Sequence, residues 1–210
     1  MKVIDLSHTI HNNITVFNEA ERPNIEKAAT IENDGYAQLR FSMYTHNSTH
    51  IDAPAHMIEG GKTLTDFLLD SFTGKAFVAD VRNAAQRITL EDLAPYEENL
   101  TACDFILLDT GWAKKWNTDA YKTGFPVLSP KAAEWLSQFN LKGIGLDTIS
   151  IDPVDSVEVP NHHIVLGQDM LIIENLTGLD KAGKDVFWFS CFPLKIENAD
   201  GSPVRANAMI

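Results

Sequence analysis

The chain has 210 residues, with 17 Lys and Arg against 29 Asp and Glu, a net charge of −12. Apolar residues at 44 % and charged residues at 22 % are ordinary globular usage, which excludes disordered and low-complexity classes and fits one domain, residues 1–210. The acidic balance excludes nucleic acid and anionic membranes as partners, because each needs a basic footprint; a small-molecule substrate or a bound cation stays open.

Met1–Asp5 runs straight into a strand-like segment with no charged leader before it. No apolar stretch approaches the roughly 20 residues that cross a bilayer, so the expected location is cytoplasmic. Further along, Asn18–Ile25 is polar, carries Pro23 and reads as a loop, so residues 12–28 are expected to form a mobile arm or lid. Runs rich in β-branched or aromatic residues predict strands at Val3–Leu6, Ala37–Tyr44, Ala76–Val81, Phe105–Asp109, Gly143–Leu146, Met170–Glu174 and Val186–Phe189. One helix is expected over Thr89–Leu93, ended by Pro95. A second starts at the N-cap Ser129 with Pro130 in its first position and runs to Leu136. Cys103 and Cys191 lie far apart in apolar runs without Cys-x-x-Cys spacing and read as buried thiols. The pattern predicts a strand-rich α/β fold.

Five of the seven histidines fall in two stretches. The first is His46-Asn47-Ser48-Thr49-His50-Ile51-Asp52-Ala53-Pro54-Ala55-His56. Three imidazoles and a carboxylate at this density are the ligand types that zinc or manganese takes. A straight strand would hold His46 and Asp52 roughly 20 Å apart at about 3.3 Å per residue. A helix would turn Asp52 away from His46 by roughly 240° at about 100° per residue. Convergence therefore needs a bent path, with a turn at Asn47-Ser48 and an extended step from His50 to Asp52. A lone histidine here would be read as capping backbone groups; four candidate ligands together favour a metal.

The second stretch, Asn161-His162-His163, is followed by the apolar run Met170–Ile173 and Glu174. A carboxylate closing a buried strand is costly without a partner, and strand ends in α/β folds are where sites are built. The alternative is that Glu174 reaches solvent. Charge counting does not choose between one divalent ion and two. Asp147 is expected to bond nearby backbone amides, and Trp112 and Trp116 to pack in the core or at a subunit contact. Asp200-Gly201-Ser202-Pro203 reads as a turn without a catalytic role, and Arg205 as the partner of an acidic neighbour.

At these residues the chain resembles the cyclase family of metal-dependent hydrolases, which includes bacterial kynurenine formamidase. The family signature His-x-Gly-Thr-His-x-Asp-x-Pro-x-His is matched from His46 to His56 except at Ser48. The resemblance extends through Asp5-Leu6-Ser7-His8, Thr110-Gly111-Trp112, Gly145–Ser150, His162 to Leu176, and Asp200–Ala206. It implies a swivelling β/β/α fold and a homodimer or homotetramer. It also implies that His46, His50 and Asp52 hold one zinc, that His162 holds a second, and that Asp52 and Glu174 bridge the two. His162 fits the pattern better than His163, because the family follows its ligand with x-Ile-Leu-Leu-Gly. His56 corresponds to the general acid and base, and Phe17 to an aromatic that lines the substrate pocket, there usually Trp or Tyr beside a proline. If the glycine position of the signature needs φ > 0, Ser48 costs roughly 1–2 kcal/mol.

The activity implied is metal-dependent hydrolysis of an amide resembling N-formyl-kynurenine. The runner-up is a lactonase-like hydrolase that opens a cyclic amide or ester, as isatin hydrolases of the same family do, and the isatin hydrolases tend to use one manganese. A non-catalytic metal-stabilised module is the rival class; carboxylates beside a spare histidine speak for an open site instead.

Overall fold

A computed structural model describes all 210 residues, Met1–Ile210. Its centre is a nine-stranded sheet in the order Val3–Asp5, Asn207–Met209, Phe187–Ser190, Thr73–Asp80, Phe105–Asp109, Gly143–Leu146, Leu171–Glu174, His50–Asp52, Gly201–Pro203. The four strands from Thr73–Asp80 to Leu171–Glu174 are parallel, and the strands flanking them pair antiparallel.

The sheet cannot be flat. Gly201–Pro203 and Asn207–Met209 lie near opposite ends of the strand order, yet only Val204–Ala206 joins them. Four chain steps span at most about 14 Å, so the ends must curl toward each other. The Ser7–Leu176 bridge and the bond from the Leu6 amide to the Ala206 carbonyl, 2.9 Å, close the curl.

Strand alternation then sorts the core into two layers. Ile4, Ile51, Phe105, Leu107, Leu171, Ile173 and Phe189 pack inside the curl. Ile106, Leu108, Ile144, Leu146 and Ile172 face outward and are covered by helical segments through Leu93, Leu100, Ala133, Leu136, Val165 and Leu166.

The strands expected from composition all form, with ends shifted by a residue or a few. The 130–136 helix is capped as expected, the Ser129 Oγ accepting from the Ala132 amide at 3.2 Å. Pro95 does not end the helical path begun at Leu90. It sits at the start of a 3-10 turn, Ala94–Tyr96, where no amide is required, and Glu97–Ala102 continues as helix. Asn18–Ile25 is not all loop: Asn18 caps a 3-10 turn over Glu19–Glu21, and a strand begins at Asn24. That strand, Asn24–Ala29, pairs with Gln38–Ser42 as a separate antiparallel ribbon whose Leu39 and Phe41 are exposed. Asp200–Pro203 is likewise not a turn, because Gly201–Pro203 pairs with His50–Asp52 as the edge strand. Arg205 pairs with Asp5, the bond from its Nε to Oδ1 being 2.8 Å, and both thiols are buried.

Candidate metal centre

The register of two strands, His50–Asp52 and Leu171–Glu174, assembles the first part of the site. Glu174 lies opposite His50, and Ile172 opposite Asp52, so His50, Asp52 and Glu174 project from one face of the sheet. Ile51 and Ile173 point the other way into the core. His46 arrives from the preceding bend, where Ser48 adopts φ 61°. The bent path expected from ligand spacing is therefore present, and its turn needs the left-handed backbone that a glycine would take without strain. Asn175 ties this bend down: its Nδ2 donates to the Ser48 carbonyl at 2.9 Å, and its own carbonyl accepts from the Thr49 hydroxyl at 2.6 Å.

His162 comes from a helix, Pro160–Leu166, that faces the same side of the sheet. Asp152 sits before it, accepting from the amides of Asn161 and His162 at 3.1 and 2.9 Å. Its Oδ2 also bonds the His162 Nδ1 at 2.8 Å, which turns the Nε2 toward Asp52 and Glu174 at 4.0 and 3.6 Å. His50 is oriented in the same way, with Nδ1 against the Ser48 carbonyl at 2.8 Å and Nε2 3.2 Å from Asp52. A histidine whose second nitrogen is held by a carboxylate or carbonyl is the arrangement that aims the other nitrogen at a metal. His163, by contrast, is exposed.

These side chains form overlapping groups, His46–His50–Asp52 and Asp52–His162–Glu174, with donor atoms within 4.8 Å of one another and Asp52 shared. Glu174 does not reach solvent; it is buried. Burial, and then the neighbouring Asp52 charge, push the Glu174 carboxyl up to about 7. Burial acts upward on Asp52 too, but His50 and His46 outweigh it and hold this carboxyl well below its ordinary range. Asp52 Oδ2 is buried with no hydrogen-bond partner. Leaving a buried carboxylate oxygen unsatisfied is costly, and a cation at that place would answer it. The imidazole and carboxylate donors fit a divalent metal.

His56 stands beside this cluster, its ring 3.8 Å from that of His46 and its Nδ1 3.7 Å from Asp200 Oδ2. Burial pushes its imidazole down to about 4, so it is neutral at pH 7. Asp200, dismissed as a turn residue, belongs here: its Oδ2 bonds the His46 Nε2 at 2.9 Å and its Oδ1 accepts from the Thr45 hydroxyl at 3.1 Å. Gly201 beside it lies under the His46 ring, where a Cβ would come 2.5 Å from Cε1. Asp152 and Asn175 were also missed; the Asp152-Pro153 pair reads locally as a turn. Asp147 bonds the Thr110 amide and hydroxyl, as expected, and Trp112 packs against a small core cluster, while Trp116 stacks on His8 at 4.1 Å.

The cluster forms the floor of a cavity of about 260 Å³. Phe17 lines it, as do Val16, Tyr44, Met57, Ile149 and Val159, so an apolar wall rises from an ionisable floor.

A curled sheet that carries an imidazole–carboxylate cluster at the end of its parallel strands defines an α/β protein built round a metal site. Residues 4–153 match the family model Cyclase, described as "Putative cyclase", and the chain belongs to this family. It is 31 % identical over 204 residues to kynurenine formamidase of Bacillus cytotoxicus, covering 97 % of this chain and 95 % of the relative. Among solved structures it is similar to "Potential Metal-Dependent Hydrolase With Cyclase Activity", with TM-score 0.83 and 27 % identity over 99 % of this chain and 96 % of the other. Isatin hydrolase A from Labrenzia aggregata shares the fold, with TM-score 0.87 and 24 % identity over 100 % and 93 % of the two chains.

Proposed function

We propose that the chain is a metal-dependent amide hydrolase acting on arylformamides of the N-formyl-kynurenine type. The observation that carries this reading is the shared buried carboxylate, Asp52, with its unpartnered oxygen, set among three histidines and Glu174 beneath an apolar cavity. His46, His50 and Asp52 would hold one ion, and Asp52, Glu174 and His162 a second. Zinc is the expected ion for this donor set, with manganese as the alternative. A divalent ion held there supplies Lewis acidity and brings the pKa of water down to about 7.

The chain's own residues do the rest. Asp152 and the Ser48 carbonyl keep the His162 and His50 rings in place. The apolar wall excludes bulk water and holds the aryl ring, with Phe17 against it. His56, neutral and with its Nδ1 facing Asp200, has Nε2 free to take a proton from the attacking water. It returns that proton to the nitrogen as the C–N bond breaks, so that formate and an aryl amine leave.

Thr15, Val16, Phe17 and Glu21 supply one side of the cavity, which supports reading residues 12–28 as a lid. The exposed Leu39 and Phe41 of the 24–42 ribbon support assembly into a homodimer or homotetramer. No helix is long and apolar enough to cross a membrane, and we take the chain to act in the cytoplasm.

The test is hydrolysis by zinc- and by manganese-loaded protein of formanilide, N-formyl-kynurenine, isatin and a simple lactone. Turnover of the first two carries the proposal. Turnover confined to isatin or the lactone would replace it with cyclic amide or ester opening. No turnover on any, with unfolding on chelation, would favour a structural metal instead.

A further inference from the structure

The charged lining of the cavity is one-sided. Apart from the ionisable floor, Glu21 is the charged residue that lines it, and no Lys or Arg does. Glu21 has no cationic partner: its Oε2 takes only the amide of Asn18, at 3.4 Å. The cations nearby are turned elsewhere. Arg22 pairs with Glu19 at 2.6 Å and bonds the Ile14 carbonyl, and Lys122 lies 3.7 Å from Glu19. Phe17 and Tyr44, both half exposed, line the same cavity and offer aromatic faces. A carboxylate with aromatic faces in one cavity is the chemistry that receives an ammonium group, and the net charge of −12 favours cationic ligands further.

We propose that Glu21, with Phe17 and Tyr44, selects substrates that carry a primary ammonium on the chain remote from the scissile amide, and that a carboxylate on that chain has no counterpart in the cavity. The substrate class is thus an aryl amide with a cationic tail. This deepens the hydrolase reading and rests on it for the identity of the scissile bond, but ligand binding tests it separately.

Calorimetric titration of the metal-loaded protein with two ortho-aminophenyl ketones, one with a primary ammonium tail and one with a carboxylate tail, reads tail recognition without any turnover. The ammonium ketone is expected to bind more tightly. Glu21→Gln should weaken it about threefold to fivefold, the size of a half-exposed ion pair, and Glu21→Lys should reverse the order of the two ketones. Formanilide, which has no tail, should be hydrolysed by the unaltered metal-loaded protein. Equal binding of the two ketones by the unaltered protein, or an ammonium ketone indifferent to both substitutions, would overturn the assignment of Glu21. Failure to hydrolyse formanilide would count against the hydrolase reading and leave the binding result to decide the assignment of Glu21.

Discussion

Asp152 holds His162 twice, accepting its backbone amide at 2.9 Å and bonding its Nδ1 at 2.8 Å. One carboxylate therefore fixes both where the helix begins and which way the ring turns. Asp152→Asn is expected to keep the shape but loosen the ring's orientation. Metal affinity or activity should fall about 10- to 100-fold. Metal content after dialysis and turnover together check this, and an unchanged affinity and rate would remove Asp152 from the site.

Gly201 and His46 make a tighter fit. A methyl group at Gly201 would lie 2.5 Å from the imidazole Cε1, so Gly201→Ala must push the ring or the edge strand. The expected cost is about 1–3 kcal/mol of stability, with loss of bound metal. Thermal unfolding and metal analysis read both effects.

Ser48 sits at φ 61°, where the family signature has glycine. Its hydroxyl makes only a long contact, 3.5 Å, to the His8 carbonyl. Ser48→Gly should therefore relieve about 1 kcal/mol of backbone strain and raise the melting temperature by about 2–4 °C for a chain of this size. A lowered melting temperature would show that the hydroxyl contact outweighs the strain.

His56→Ala should retain metal and lose activity by about 10²- to 10⁴-fold, the usual contribution of a positioned acid and base. Activity is measured as formanilide turnover alongside metal content. Normal turnover with metal retained would reassign the proton carrier.

The metal-free protein should lose stability as pH rises from about 6.5 to 8.5. Burial and the Asp52 charge push Glu174 from 4.5 up to about 7. For His46, burial opposes the charge, but Asp52 and Asp200 raise it from 6.5 to about 10. Groups raised on folding bind more protons in the folded state, so stability is greatest below the unfolded values and is lost through the folded ones. His8 and His56, lowered to about 4, act in the opposite direction below this window. Melting temperatures of chelated protein across this range check the sign, and bound metal should abolish the slope.

Much of the site was legible because its residues are close in sequence. His46, His50, Asp52 and His56 share eleven residues, and their spacing alone demanded the bend and the extended step that the fold contains. Strand alternation and apolar runs likewise marked the sheet, since burial on both faces leaves a continuous apolar string such as Phe105–Leu108. Pro95 misled because a proline in the first turn of a new helical segment looks locally the same as one that ends a helix.

Asp200 and Asp152 were beyond such reading. An Asp-Gly pair and an Asp-Pro pair are turn signals by composition, and nothing local says that the first will face His46 across 154 positions. That meeting depends on the curl of the sheet, which brings the Gly201–Pro203 edge beside His50–Asp52. The sequence by itself determined the donor types, their local path and the family. Only the tertiary structure decided which carboxylate orients which imidazole, and that Glu174 is buried opposite His50, because strand register and sheet closure are set by packing across the whole domain.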